Sequence, residues 1–301
     1  MYDIIIIGGG PAGLTAAVYA RRAGKSALVI EKSAFGGQIT WSPKVENFPG
    51  FLSIGGTELG DKLLEQAMEQ GAEVELDAVT ALSQQDGVWT AETEFGARFQ
   101  ARAVVLAAGA RPRALGLARE TELVGSGVCY CAVCDGAFYK DKAVAVSGGG
   151  NSALQDALLL SETCSRVYLI HRRDSFRGEA KLVEALQERE NVEFVLEAKI
   201  TALLGDASLS GLTVEQRGES RRLDVEGLFV AIGHQPDLDL FAPWLRLDEA
   251  GYADAGEDCL TPSAGLFVAG DCRKKGVRQL TTAVADGATA ALAACRYLDS
   301  L

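Results

Sequence analysis

The chain has 301 residues, 48% of them hydrophobic, with 34 glycines and a net charge of −12 from 29 basic and 41 acidic side chains. That length accommodates two domains. A duplex-binding surface needs a basic face, so the acidic balance makes nucleic acid a poor partner, and no apolar run approaches the length that spans a bilayer.

Met1-Tyr2-Asp3 lacks the cationic start of a secretory signal, so a cytoplasmic location is expected. Residues 4–7 are four consecutive isoleucines, the pattern of a strand buried on both faces. Gly8, Gly10 and Gly13 follow in the spacing G-x-G-x-x-G, with Pro11 and Ala12 inside it, and residues 14–20 read as a helix. Glycines at these points permit a tight turn and close approach of a pyrophosphate to a helix N-terminus. A second strand, 27–30, leads to Glu31, placed 18 residues after Gly13, where an acid bonds ribose hydroxyls.

The segments around Gly37-Gln38 and Asn47 are rich in turn formers and read as loops. Residues 59–70 carry apolar side chains at helical spacing. Short strands are expected over 73–76, 88–92 and 97–101, with Asp86-Gly87 as a turn. A separate buried strand is expected over 103–107, and Arg111-Pro112-Arg113 then interrupts regular structure as a linker.

Cys131-Ala132-Val133-Cys134-Asp135 lies near the middle. By itself a C-x-x-C is half a zinc site, a pair of buried thiols or a redox couple. The seven cysteines are odd in number and only Cys129, Cys131 and Cys134 cluster, which argues against a structural disulfide framework. No fourth nearby ligand supports zinc, and the only histidines are His171 and His234. A redox couple needs two thiols, one to form a mixed disulfide and one to resolve it, and a lowered thiol pKa near a helix start assists. Asp135 is placed either to exchange protons with a leaving thiolate or to cap a helix.

A second unit follows. Residues 143–146 read as a strand, Gly148, Gly150 and Ala153 with Asn151 and Ser152 between them form a second fingerprint loop, residues 153–160 are helical and 167–170 form the next strand. Glu31 lies 23 residues after Gly8, and His171 lies 23 after Gly148, so the two units repeat in register. Where the first unit has an acid, the second has His171, Arg172, Arg173 and Arg177. Arginines there neutralise and fork onto a 2′-phosphate that an acid would repel, which predicts NADPH rather than NADH. Residues 181–190 read as a helix, 192–196 and 212–217 as strands, and 234–237 as a return linker. A strand over 266–269 ends at Gly270-Asp271, where an aspartate bonds a ribityl hydroxyl or caps a turn. Residues 281–298 form an Ala-rich helix.

The organisation is an α/β fold with two Rossmann-like dinucleotide-binding domains, the second inserted into the first: residues 1–112 and 236–301, with 113–235 between them. In this setting the dithiol, the arginine turn, Gly37-Gln38, the 46–50 loop, Gly270-Asp271 and Arg278-Gln279 resemble the low-molecular-weight thioredoxin reductases. The resemblance implies FAD on the 8–13 loop with Glu31, Gly37, Gln38, Asn47, Gly270, Asp271, Arg278 and Gln279. It implies NADPH on the 148–153 loop with Ser152, His171, Arg172, Arg173 and Arg177. It also implies a homodimer, a rotation between domains, Cys134 as the flavin-side sulfur, and thioredoxin as the protein substrate. Relatives on the same scaffold serve a peroxiredoxin-type partner, take electrons from ferredoxin or oxidise small-molecule dithiols; the arginine cluster disfavours ferredoxin. Two departures stand out: Cys129 adds a thiol with a possible second disulfide pairing, and Ser147 replaces an apolar residue before the second loop.

Overall fold

The computed structural model describes residues 1–42 and 44–301. The chain divides into two compact units, Met1–Arg111 with Gln235–Leu301, and Pro112–His234. In chain order the first unit comprises β1 (Tyr2–Ile7), α1 (Pro11–Arg22), β2 (Ala27–Glu31), α2 (Gly56–Glu69), β3 (Glu73–Leu76), β4 (Val79–Gln85), β5 (Val88–Thr93), β6 (Arg98–Leu106) and a short β7 (Ala110–Pro112). The second comprises β8 (Val128–Cys129), α3 (Ala132–Asp135), β9 (Ala143–Ser147), α4 (Asn151–Ser161), β10 (Arg166–Ile170), α5 (Ala180–Gln187), β11 (Val192–Val195), β12 (Ala198–Leu204), β13 (Gly211–Gln216), β14 (Glu219–Leu223) and β15 (Gly227–Val230). The chain returns through β16 (His234–Pro236) to β17 (Leu266–Val268) and α6 (Leu280–Asp299).

The first sheet has the order β3-β2-β1-β6-β5-β4, with β17 also against β6. β1 lies parallel to β2, Ile4 opposite Ala27, and parallel to β6, Ile4 opposite Ala103. Alternation along β1 feeds two cores: Ile4 and Ile6 pack with α1 and α6, while Ile5 and Ile7 pack with Leu238 and Phe241. The second unit repeats the plan in a parallel sheet, β11-β10-β9-β15-β8. There Val144 and Val146 face one core and Ala145 the other.

Three expectations need correction. The strands expected over 97–101 and 103–107 are one strand, β6, because its outer half pairs with β5 while its inner half continues into the buried sheet. Gly37 and Gln38 begin a 3₁₀ turn, Gly37–Trp41, rather than a plain loop. Several strands carry no sequence pattern: β4, the outer members β12 and β14 of a three-stranded antiparallel sheet, and the paired β7 and β16, which lie where linkers were expected at 111–113 and 234–237. Four of the five β14 residues face solvent, so the strand has no apolar alternation to read. The Asp86-Gly87 turn joins β4 to β5; both residues have positive φ, 51° and 78°, as a two-residue hairpin turn of matching twist requires.

Candidate active site

In the first unit, the fingerprint loop is built so that only backbone occupies its inner surface. A Cβ on Gly8 would lie 2.3 Å from the Ala107 carbonyl oxygen, and one on Gly13 would lie 1.8 Å from the Gly8 oxygen. Pro11 takes the first helical position of α1, where its missing N–H costs nothing. Gly37 and Gly270 converge on this loop: a Cβ on Gly37 would stand 3.1 Å from Gly10 Cα, and one on Gly270 would stand 2.9 Å from Ala12 Cβ. At Gly10 itself the space is open, with nothing nearer than Gly37 Cα at 3.9 Å. Such a cradle, bare of side chains at a helix N-terminus, fits a pyrophosphate.

Glu31 ends β2 as expected, but its carboxylate works within the protein. One oxygen accepts from Gly9 N–H at 2.6 Å and the other from Ser33 N–H at 2.9 Å and the Ser33 hydroxyl at 3.0 Å. Gln38 donates to the Ala110 carbonyl at 2.9 Å, and Asn47 donates to Gln279 Oε1 at 3.3 Å. Gln279 is the N-cap of α6, in a reciprocal capping box with Thr282. Arg278 lies over the Tyr252 ring at 3.9 Å and donates to the Asp271 carbonyl at 3.3 Å. Asp271 Oδ1 is shut off from solvent beside the Lys275 ammonium at 3.1 Å, while the side chain as a whole is 34% exposed, so its other oxygen is the acceptor open to a hydroxyl.

In the second unit the same design recurs. A Cβ on Gly148 would meet the Ala231 oxygen at 2.5 Å, whereas one on Gly150 would meet nothing within 4 Å. Ala153 is fully buried beneath the loop, and Ser147 is buried at the end of β9. Ser152 is exposed in the first turn of α4. Asn151 is committed elsewhere: its side chain accepts from Glu179 N–H at 2.8 Å and donates to Glu179 Oε1 at 2.9 Å. The His171 ring is buried against Gly149, where an added Cβ would come within 2.2 Å, and stacks on Phe176 at 5.5 Å. Burial, then Arg177, Arg173 and Arg172 in turn, push its pKa below the usual histidine value. Arg177 N–H donates to the Gly149 carbonyl at 2.8 Å, which ties the arginine turn to the fingerprint loop. Arg172, Arg173 and Arg177 are all exposed. Among the described residues no carboxylate forms a salt bridge with them, so the cluster suits a phosphate.

Cys131 and Cys134 form a disulfide. Cys131 is the N-cap of α3, and its sulfur accepts from Cys134 N–H at 3.2 Å. Asp135 closes this short turn without capping the 3₁₀ turn that follows, which removes the capping reading. Burial raises its carboxyl to about 6, partly opposed by a hydrogen bond with Cys129. Cys129 is a free thiol, buried on β8, 3.4 Å from the Tyr139 hydroxyl. Burial, reinforced by Asp135, pushes it up to about 12. A thiol held protonated in a core is a poor nucleophile, which disfavours Cys129 as a third redox sulfur.

One charged cluster has no sequence motif to mark it. Asp286, the only acid within 281–298, is buried on α6. It accepts from Gly270 N–H at 3.1 Å, from Arg273 Nε at 3.2 Å and Nη2 at 2.9 Å, and from Lys275 at 3.2 Å. Its signal was available: a single charge on the apolar side of an Ala-rich helix needs buried partners.

Comparison with known proteins agrees with this geometry. A family model described as pyridine nucleotide-disulphide oxidoreductase matches residues 2–287. A thioredoxin reductase of Mycolicibacterium smegmatis is 41% identical over 306 residues, covering 99% of this chain and 97% of that one. A thioredoxin reductase of Treponema pallidum is 39% identical over 303 residues, covering 100% and 98%. The crystal structure of thioredoxin reductase from Streptococcus pyogenes matches with a TM-score of 0.94 at 35% identity, covering 100% of this chain and 99% of that one. Among the described residues no helix is long and apolar enough to cross a membrane. The α/β architecture of two Rossmann-type domains, the second inserted into the first, is thus the fold of these relatives, and the chain belongs to the pyridine nucleotide-disulphide oxidoreductase family.

Proposed function

We propose that this chain is an NADPH-dependent, FAD-containing thioredoxin-disulfide reductase. The observation that carries the reading is the Cys131–Cys134 disulfide at the start of a short helix, followed by a carboxyl that burial raises to about 6. Relatives named thioredoxin reductase that match over nearly the whole chain support the same substrate.

The residues fit both cofactors. The 8–13 loop, Gly37 and Gly270 form a cradle without side chains, and Asp271 keeps an open acceptor, as FAD requires; Glu31, Gln38, Asn47, Arg278 and Gln279 support that set. The 148–153 loop and Arg172, Arg173 and Arg177 suit NADPH, with His171 packed beneath. When bound, these groups supply a hydride and the electron pair that opens the Cys131–Cys134 disulfide. One of the two sulfurs then attacks the disulfide of the protein substrate as a thiolate and forms a mixed disulfide. The other resolves it, releasing the substrate as a dithiol and restoring the Cys131–Cys134 bond. Overall, one NADPH and one proton reduce one substrate disulfide to two thiols. Asp135 exchanges the proton with the departing thiolate, because a carboxyl near 6 is partly protonated close to neutrality.

A cytoplasmic location and a homodimer accompany this reading. Light scattering of the purified protein checks the homodimer. The deciding experiment is an anaerobic NADPH titration of the purified yellow protein, followed by oxidised thioredoxin. Uptake of two electrons beyond the flavin's capacity and prompt thioredoxin reduction are expected. Both should vanish in C131S/C134S while NADPH still bleaches the flavin. Undiminished thioredoxin reduction by C131S/C134S would refute the proposal.

A further inference from the structure

Four charges are gathered where the chain passes from β17 into α6. Lys275, whose side chain is 5% exposed, stands 3.1 Å from Asp271 Oδ1 and 3.2 Å from Asp286 Oδ2, with the Thr282 hydroxyl at 3.4 Å. Arg273, equally buried, holds the other side of Asp286. Two cations thus face two carboxylates, and a buried ammonium deprived of these partners would be strongly unfavourable. The two carboxylates are used differently. Asp286 is saturated, since it also accepts the Gly270 N–H. Asp271 has the ammonium close to Oδ1 but no donor aligned on that oxygen. Its charge is compensated at Oδ1, while the side chain stays 34% exposed and its other oxygen is free to accept from a ligand.

We propose that Lys275 is a positioning residue for the bound flavin cofactor: bridging Asp271 to Asp286, it holds the Asp271 carboxylate where it accepts a hydrogen bond from a hydroxyl of the cofactor's ribityl chain. Gly270, adjacent to Asp271, is fixed by the same Asp286, so the ammonium and the backbone clamp act on one short segment. This inference rests on the FAD reading above and names a further residue of that site.

The test is a double-mutant cycle on FAD binding to apoprotein, followed by flavin fluorescence. K275M keeps the side-chain length and removes the charge. Loss of a charge-assisted contact predicts a Kd raised about tenfold to hundredfold. In a D271N background K275M should change Kd by less than about twofold, because Lys275 then has no carboxylate to orient. Binding of 2′,5′-ADP, a probe of the second unit, should be unchanged. Should K275M not fold, K275Q, which keeps a donor beside both carboxylates, should show a smaller loss that is again absent with D271N. FAD affinity within twofold of wild type in K275M or K275Q overturns the inference. So does an equal loss with and without D271N, which assigns Lys275 to general stability. Wild-type apoprotein that binds no FAD sinks the flavin reading itself, and this inference with it.

Discussion

Asp135→Asn separates what the buried carboxyl does for chemistry from what it costs the fold. Burial raises its pKa from 3.8 to about 6. The folded protein therefore holds a proton between about pH 4 and 6 that the unfolded chain has already released. Stability falls as pH rises through that window and stays lower above it. A shift of about two units at 1.36 kcal/mol each amounts to about 3 kcal/mol of destabilisation at pH 8. The amide carries no charge, so D135N should be more stable than wild type by up to about 3 kcal/mol at pH 8 and nearly equal to it at pH 4. Urea denaturation of both proteins across pH 4–8, followed by tryptophan fluorescence and by circular dichroism, measures the difference. Thioredoxin reduction by the same variant should fall about 10²- to 10⁴-fold, the usual scale for loss of a positioned proton donor. A D135N protein no more stable than wild type at pH 8, with the same pH dependence between 4 and 6, would refute the argument that burial perturbs this carboxyl.

The arginine turn gives a second test. R172Q and R177Q should each raise the KM for NADPH about tenfold or more and leave that for NADH unchanged, since each removes one charge-assisted contact to the 2′-phosphate; steady-state kinetics with both nucleotides decides. The glycines of the two loops should respond differently. G13A places a methyl group 1.8 Å from the Gly8 oxygen and should yield little folded, flavin-bearing protein, whereas G150A meets no neighbour and should fold normally but bind NADPH more weakly. Melting curves and nucleotide titrations compare the two. After reduction, iodoacetamide at pH 8 should label Cys131 and Cys134 within minutes and leave Cys129 unmodified until the protein unfolds, because burial holds that thiol near 12; peptide mass spectrometry reads the sites.

What the sequence made legible was the short-range part of the molecule. The isoleucine run of β1, both fingerprint loops and the C-x-x-C at a helix start are contained within a few residues each, so local chemistry marks them. The Asp86-Gly87 hairpin was readable for the same reason, although β4 before it was not. β14 left no pattern because an exposed edge strand carries polar residues on both faces. The Asp286 cluster left little, because its members meet only through packing at long range. α6 closes on α1 so tightly that a Cβ on Gly287 would lie 2.1 Å from the Ala12 oxygen, and that approach brings Asp286 to Gly270. The role expected for Glu31 was legible as a position but not as a set of bonds, since Gly9 and Ser33 already engage its oxygens.

The register repeat shows how one backbone plan takes two nucleotides. In both units the middle glycine of the loop packs directly on the side chain that ends the second strand: Gly9 on Glu31, where a Cβ would lie 2.9 Å from Glu31 Cβ, and Gly149 on the His171 ring. The position is therefore structural first, a floor beneath the loop, and the residue filling it sets the charge that a phosphate meets. Glu31 puts an anion there, bound to the loop's own N–H, which suits a ribose with free hydroxyls and opposes a 2′-phosphate. His171 fills the same space with an imidazole that burial and three arginines keep neutral near pH 7. The positive charge is thereby moved off the floor and out to Arg172, Arg173 and Arg177, where exposed guanidinium groups can close on a phosphate without the cost of burying a cation. In the function proposed above, nucleotide choice in the second unit rests on exchanging a buried anion for a buried neutral ring and placing the cations on the turn beside it.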